Sequence, residues 1–336
     1  MGKGITLRIF VSLLLGLLLW SACEEDQKDP VVDTDTDTGA ALTVPKFNRD
    51  SAYTFVKKQV DFGPRVPNSA GHQATKVWLA EQLRQYGATV IEQNFSATAY
   101  TGTVLNGTNI IASFFPERSK RIFLSAHWDT RHIADRDPDA AQQEQPILGA
   151  DDGASGVGVL IELARQLQQQ PTTEIGVDII LFDAEDHGEA GGSASSYCLG
   201  SQHWSRNPHV NGYKAKYGIL LDMVGAKNAR FPKEGYSRQF APQVVKKVWG
   251  LAKKLGYSNY FPDENVDPIT DDHYFVNTIA RIPTVDIINL PKGSTTGFVP
   301  HWHTQDDTMD AIDKRTLRTV GQLLLQVLYR EDAGKL

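Results

Sequence analysis

Residues 179–188 read Ile-Ile-Leu-Phe-Asp-Ala-Glu-Asp-His-Gly, a short apolar run that passes directly into acidic residues. A run of this length and composition is typical of a strand buried in the middle of a covered sheet. Glu185 and Asp186 follow it, and adjacent carboxylates repel each other unless a cation lies between them or one takes a proton. A bound metal beside a proton-accepting carboxylate would relieve this repulsion. The alternative is a solvated acidic loop after a strand.

Further strands and helices alternate on both sides of this stretch. Apolar runs predict strands at 121–126, 217–224 and 284–290, and two or three strands within 89–115 with a hairpin turn at Asn106-Gly107. Helical spacing predicts helices at 47–62, 72–87, 194–202, 242–255 and 271–278, with others after Gly153 and around 317–328. This alternation predicts a three-layer α/β/α fold with a mixed, mostly parallel central sheet.

Acidic and histidine residues recur where the predicted strands end. In folds of this class, ligands bind outside the carboxyl ends of the strands. The candidates are His127, Asp129, Asp152, Glu185, Asp186, Asp222, Asp271, Asp272 and His303. Imidazole and carboxylate ligands without a thiol suit a catalytic zinc with an open position for substrate or water. Each residue alone has a simpler interpretation, such as a helix N-cap, but their joint arrangement favours a metal site.

Composition limits the classes of partner. Residues 24–38 contain seven acids and one lysine, which together account for the formal net charge of −6 of the 336-residue chain. The rest of the chain is nearly neutral and has no basic stripe, so nucleic acid is not expected as a partner. The two cysteines, Cys23 and Cys198, exclude a disulfide framework, and Cys198 is expected to be a small buried residue. No feature indicates an oligomeric state.

The amino terminus has the pattern of a targeting segment. Lys3 and Arg8 precede an apolar run at 9–20, which is short for a membrane span, and Ser21-Ala22 precede Cys23. Small residues before a cysteine resemble a bacterial lipoprotein signal, which implies cleavage before Cys23 and acylation of its sulfur; the alternative is a plain secretory signal. We therefore expect a signal peptide at 1–22, an acidic disordered tether at 23–45 and a single catalytic domain at 46–336. The protein would lie in the cell envelope, attached to a membrane only through lipidated Cys23, on the periplasmic or surface side.

Five short motifs resemble, in their order, those of the zinc aminopeptidase superfamily, which includes the glutaminyl cyclases. They are His127-Trp128-Asp129, Gly149-Ala150-Asp151-Asp152-Gly153, Phe182-Asp183-Ala184-Glu185-Asp186, Leu221-Asp222 and Trp302-His303-Thr304. Residues 222–232, the triplet Asp271-Asp272-His273, the loop at 63–67 and the spacing of Phe298 and Trp302 are more similar to the cyclase branch. The resemblance extends from about residue 47 to the end of the chain.

The resemblance implies a role for each of these residues. Asp152, Asp186 and His303 would bind one zinc ion, and Glu185 would be the general acid/base. Asp222 and Asp271 would form a hydrogen-bonded acid pair beside Glu185, and Phe298 and Trp302 would line the substrate pocket. His127, Asp129 and Asp272 would support the site or hold a second metal. The cyclases usually have Glu where this chain has Asp186, and the pocket Trp that follows in animal cyclases has no counterpart at 187–191.

The implied activity is that of a glutaminyl-peptide cyclotransferase, which converts the N-terminal Gln of peptides or proteins to pyroglutamate and releases ammonia. One alternative is a dinuclear zinc aminopeptidase, in which His127, Asp152 and Asp222 would hold a second zinc. Another is a lipid-anchored binding module without catalysis. A serine hydrolase is not expected, because the chain has no Gly-x-Ser-x-Gly nucleophile elbow.

Overall fold

The computed structural model describes residues 1–2 and 42–336. The chain divides into two units, Met1–Val32 and Asp33–Leu336, and the fold described below lies in the second. The predicted signal peptide and most of the predicted tether fall outside the described residues and stay predictions. None of the helices formed by residues 42–336 is both long and apolar enough to cross a membrane.

A six-stranded mixed sheet forms the centre of the fold, in the order β1-β2-β4-β3-β5-β6. The strands are β1 (Thr89–Thr98), β2 (Val104–Phe114), β3 (Arg121–His127), β4 (Gly176–Phe182), β5 (Gly218–Asp222) and β6 (Thr284–Ile288). β2 pairs antiparallel with β1 and with β4. The β3–β4, β3–β5 and β5–β6 pairs are parallel, so their carboxyl ends meet at one edge of the sheet.

Helices cover both faces of this sheet. They are α1 (Arg49–Val60), α2 (Ala70–Gln85), α3 (Ala154–Gln169), α4 (Leu199–Arg206), α5 (Gly235–Phe240), α6 (Pro242–Lys254), α7 (Asp272–Phe275) and α8 (Lys314–Asp332). Successive side chains of a strand point to opposite faces. In β4, accordingly, Ile179 and Leu181 join the large core that includes α1, α3 and α8, whereas Ile180 and Phe182 pack with Trp204 of α4. The predicted three-layer α/β/α class is confirmed.

Two local predictions were wrong. Asn106 and Gly107 lie inside β2, paired with Ser96 and Phe95, and the hairpin turns at 99–103 instead. Gly107 leaves room there for the Phe95 ring, because a Cβ would lie 2.3 Å from it. The helix predicted at 194–202 is divided into a 3₁₀ turn at Ala194–Ser196 and α4, because Cys198 between them has a left-handed backbone with φ of 57°.

The loop at 63–67 stabilises the neighbouring loop at the sheet edge through Arg65. The Arg65 side chain is fully buried and donates hydrogen bonds to the carbonyl oxygens of Trp128 (2.9 Å), Leu148 (2.7 Å) and Gly149 (2.7 Å). It thereby ties together the two ends of the connection at 128–153, between β3 and α3. Burial lowers the pKa of Arg65 to about 10, but the group stays charged at neutral pH near Asp307, Asp129 and Asp152.

A second buried contact fixes α2 to the end of β4. His72 Nε2 lies 3.0 and 2.9 Å from the two carboxylate oxygens of Asp183, and neither side chain is exposed. The imidazole also stacks on Trp128, with ring centroids 4.3 Å apart. Asp183 directly precedes the residues Ala184, Glu185 and Asp186, so this contact holds the start of the acidic segment.

We predict that His72→Ala lowers the free energy of unfolding by about 3–5 kcal/mol, because Asp183 would keep only the N–H donors of Thr108 and Ala184 and Trp128 would lose its stacked ring. Urea denaturation measures this change. Gln73→Ala, an exposed change in the same helix, is the control and should have little effect. A loss below 1 kcal/mol in His72→Ala would contradict the role assigned to this contact.

Candidate active site

Three predicted metal ligands from distant parts of the sequence meet at the carboxyl edge of the sheet. Asp152 precedes α3, Asp186 follows β4, and His303 lies in the long connection between β6 and α8. One ligand atom from each lies within 4.8 Å of the other two, and all three side chains are buried. His303 Nε2 lies 3.1 Å from Asp186 Oδ1 and 3.8 Å from Asp152 Oδ2. The structure therefore brings this predicted set together.

The donor set fits a divalent metal. Two carboxylates and one imidazole match the ligands of catalytic zinc sites, which leave a fourth position open. Asp186 is 2% exposed, yet its Oδ2 atom has no hydrogen-bond partner in the described chain. A buried carboxylate oxygen without a donor is costly unless a cation occupies the space before it.

Asp135 contacts His303 on the far side of its ring, and no pattern in the sequence indicates this role. Asp135 Oδ1 lies 3.1 Å from His303 Nδ1, on the side of the ring away from Asp186 and Asp152. Arg131 Nε donates to the same oxygen at 2.6 Å, and Arg131 Nη1 donates to Asp186 Oδ1 at 3.3 Å. A carboxylate on the second nitrogen fixes the tautomer and orientation of a metal-binding imidazole.

Two other buried carboxylates hold the backbone of the ligand loops. Asp129 accepts hydrogen bonds from the backbone N–H groups of Glu185 (3.0 Å) and Asp186 (3.2 Å). Asp307, which the sequence reasoning missed, accepts from the N–H groups of Asp151 (2.7 Å) and Asp152 (3.0 Å). Burial and the charges of Asp151 and Asp152 raise the pKa of Asp307 to about 7. Asp129 thus binds the backbone of the segment that carries Asp186.

A second group that could hold a metal adjoins the first. His127 Nε2 lies 3.1 Å from Asp152 Oδ1 and 3.3 Å from Asp222 Oδ1, and the three residues form a set within 4.8 Å. Burial lowers the pKa of His127, but hydrogen bonds to Asp129, Asp152 and Asp222 outweigh it and leave the pKa well above its ordinary value. Since Asp152 belongs to both groups, the geometry permits one ion or two.

Glu185 lies beside these groups and is the member of the acidic segment that reaches solvent. Its side chain is only partly buried, whereas Asp183 and Asp186 are buried. Burial and the charges of Asp186 and Asp271 raise the pKa of Glu185 well above its ordinary value, although His127 opposes the shift. A carboxyl group with a raised pKa in an accessible position suits proton transfer near neutral pH.

Asp222 and Asp271 have different immediate partners. Asp222 contacts His127, whereas Asp271 groups with Glu185 and Cys198 and, separately, with His273 and Asp286. The hydrogen bond predicted between Asp222 and Asp271 stays a prediction. Burial and the charges of Asp152 and Asp271 raise the pKa of Asp222 to about 8, so the two acids interact through charge.

Asp272 is not one of the candidate metal ligands. It is fully buried at the start of α7, and it belongs to none of the potential metal groups in the described chain. Burial and the charge of Asp271 raise its pKa well above the ordinary value. Asp272 therefore contributes to the electrostatic field of the site.

Aromatic side chains line the approach to His303. The ring centroids of Phe298 and Trp302 lie 4.3 Å apart, and the Trp302 ring stacks on His303 at 3.8 Å. Both Phe298 and Trp302 are only partly buried, so part of each side chain is accessible to a ligand. On the other flank, His187 stacks on His132 with centroids 3.8 Å apart, in the region where no Trp follows Asp186.

Comparison with known proteins finds a matching family and several similar sequences and structures. The sequence pattern of peptidase family M28 matches residues 109–328. Glutaminyl-peptide cyclotransferase of Gloydius blomhoffii is 26% identical over 293 residues, which cover 77% of this chain and 75% of that protein. A glutaminyl cyclase from Bacteroides thetaiotaomicron, solved with N-acetylhistamine bound, is 56% identical, with a TM-score of 0.83 over 85% of this chain and 99% of that one. A Zn-dependent exopeptidase from Parabacteroides distasonis is 52% identical, with a TM-score of 0.84 over the same shares.

We predict that Asp135→Asn weakens zinc binding by about 10–100-fold, because the neutral amide makes the His303 imidazole a poorer ligand and holds it less firmly. Titration against a competing chelator measures the affinity without reference to activity. Asp139→Asn, an exposed change in the same loop, should leave the affinity unchanged. Equal affinities in the two variants would show that Asp135 does not support the metal ligand.

Proposed function

This chain belongs to peptidase family M28, and we propose that it acts as a glutaminyl-peptide cyclotransferase on peptides or proteins that begin with Gln. The superfamily resemblance of the motifs is confirmed. The observation that carries the proposal is the 56% identity to a glutaminyl cyclase along 99% of that protein's chain. The chain is thus an enzyme of a zinc-dependent family, and a binding module without catalysis has no support.

The reaction closes a five-membered ring within the substrate. The N-terminal amine nitrogen forms a bond to the side-chain amide carbon, the amide C–N bond breaks, and ammonia leaves. Glu185 takes a proton from the attacking amine and returns it to the departing nitrogen, a role typically worth about 10²–10⁴-fold in rate. A zinc ion on Asp152, Asp186 and His303 would supply Lewis acidity toward the side-chain amide oxygen.

The remaining residues orient the substrate and stabilise charge. Because the ring closure is intramolecular, the enzyme must mainly hold the Gln side chain folded toward its own amine. Phe298 and Trp302 form the apolar wall against which that side chain packs. Asp271, which groups with Glu185, helps to raise the pKa of that carboxyl group, and Asp222 contacts His127 on the neighbouring side of the site.

A dinuclear aminopeptidase is the second candidate, and one observation favours it. His127, Asp152 and Asp222 form a complete set for a second ion, and Glu185 could then activate water. We propose the cyclase with a single zinc, because the resemblance of residues 222–232 and 271–273 is to the cyclase branch.

We expect the purified, zinc-loaded protein to convert Gln-anilide to pyroglutamyl-anilide with release of ammonia, and to leave Leu-anilide uncleaved. Metal analysis should give one zinc per chain. Chelation should abolish turnover, and added zinc should restore it. Cleavage of Leu-anilide with two zinc ions per chain would establish the aminopeptidase instead.

The same assay applied to Glu185→Gln tests the general acid/base. This variant should keep its zinc, because Glu185 is not a proposed ligand, and should lose about 10²–10⁴-fold in kcat. A zinc-loaded Glu185→Gln protein with wild-type turnover would refute the role of Glu185.

We propose further that the protein is a lipoprotein of the bacterial cell envelope. Support comes from the sequence alone: the apolar run at 9–20, the small residues before Cys23 and the acidic segment that follows. In a bacterial host, the wild-type protein should sediment with membranes, and Cys23→Ser should remove the acylation site and release the protein. Asp37→Asn is the control. Release of the wild-type protein into the soluble fraction would contradict lipid attachment.

A further inference from the structure

The Glu185 carboxylate has one hydrogen-bond donor in the described part of the chain, and that donor is a thiol. Cys198 Sγ lies 3.2 Å from Glu185 Oε1. The backbone N–H of Glu185 is bound separately by Asp129, so the backbone is fixed independently of the side chain. The side-chain torsion angles of Glu185, which orient its carboxylate, therefore depend on the hydrogen bond from Cys198.

The position of Cys198 is strongly determined. Three consecutive N–H groups, those of Cys198, Leu199 and Gly200, donate to the carbonyl oxygens of Glu185 (2.8 Å), Ala184 (3.0 Å) and Asp183 (3.0 Å). The start of α4 is thereby clamped alongside the acidic segment. Cys198 has φ of 57°, a conformation uncommon outside glycine, and is 0% exposed. The strained backbone aims the side chain at Glu185.

The surroundings explain why a donor is needed here. Ligand atoms of Glu185, Cys198 and Asp271 all lie within 4.8 Å of one another, so the two carboxyl groups are close enough to repel. Burial and the charges of Glu185, Asp272 and Asp271 raise the pKa of the Cys198 thiol well above its ordinary value. The thiol keeps its proton and can act as a donor, although a weak one.

We propose that Cys198 is a positioning residue, which holds the Glu185 carboxylate in the orientation needed for proton transfer. The inference rests on the proposed role of Glu185 in catalysis. A misoriented carboxylate would still permit substrate to bind, because binding depends on the metal ligands and the aromatic wall. Loss of the thiol should therefore lower kcat and leave KM nearly unchanged.

The kinetic test compares Cys198→Ala with Cys198→Ser. The alanine variant should lose about tenfold in kcat, the rate equivalent of one typical hydrogen bond, with KM within about twofold of wild type. The serine variant retains a donor and should recover most of kcat. Ser205→Ala, a buried change in the same helix without contact to Glu185, is the control for packing and should keep wild-type kinetics. Zinc content and thermal unfolding are measured for each variant.

Wild-type kcat in Cys198→Ala, or a serine variant as slow as the alanine variant, would overturn the positioning role. A wild-type protein that hydrolyses Leu-anilide instead would overturn the cyclase proposal alone. The same variants would then be compared in that reaction, where Glu185 is again the proton acceptor.

An infrared measurement tests the contact without any turnover. With Cys23 acylated or replaced by serine, Cys198 carries the one remaining thiol of the sequence, so its S–H stretch is unambiguous. A thiol that donates to a carboxylate should absorb at lower frequency than in Glu185→Ala, where the acceptor is missing. Identical S–H frequencies in the two proteins would contradict the hydrogen bond on which the inference rests.

Discussion

The active site brings several buried carboxylates together, and the structure around it must offset their repulsion. The acids at the carboxyl edge of the sheet approach one another within a few ångströms, where like charges in a poorly hydrated space are costly. Hydrogen bonds from backbone N–H groups offset part of this cost. Asp129 and Asp307 each accept two consecutive N–H groups, and each of these pairs belongs to a segment that carries a proposed ligand. Arg131 and Arg65 add positive charge. A metal ion held by Asp152, Asp186 and His303 would complete this compensation.

The layered fold could be predicted because burial dictates its pattern. Continuous apolar runs such as 179–182 occur where both faces of a strand are covered, and β4 is buried along its whole length. The errors arose where a tertiary contact overrides a local preference. Asn-Gly favours a tight turn, but here both residues pair with β1 along the ladder, and the Phe95 ring packs over Gly107. Nothing in the local sequence reveals that α4 begins only after Cys198.

Asp152, Asp186 and Glu185 could be predicted because each lies within a few residues of a strand end or helix start, where the topology gathers side chains. His303 lies in the long connection between β6 and α8, and its role came from the resemblance of Trp302-His303-Thr304. Their supporting residues could not be predicted. Asp135 lies in a polar loop and Asp307 lies beyond the last strand, so both resemble ordinary surface acids in the sequence. Their importance depends on distances to His303 and to the N–H groups of Asp151 and Asp152, which only the folded chain defines.

The segment that leads to Phe298 can tolerate more sequence variation than His303 can. Phe298 follows an exposed stretch at 291–297, whereas His303 is buried and bound to Asp135 from the opposite side. Insertions or replacements in that stretch would reshape the entrance while the ion-binding geometry stays intact. Evolution could therefore vary the selectivity of this scaffold toward different peptide termini while its reactive centre stays the same.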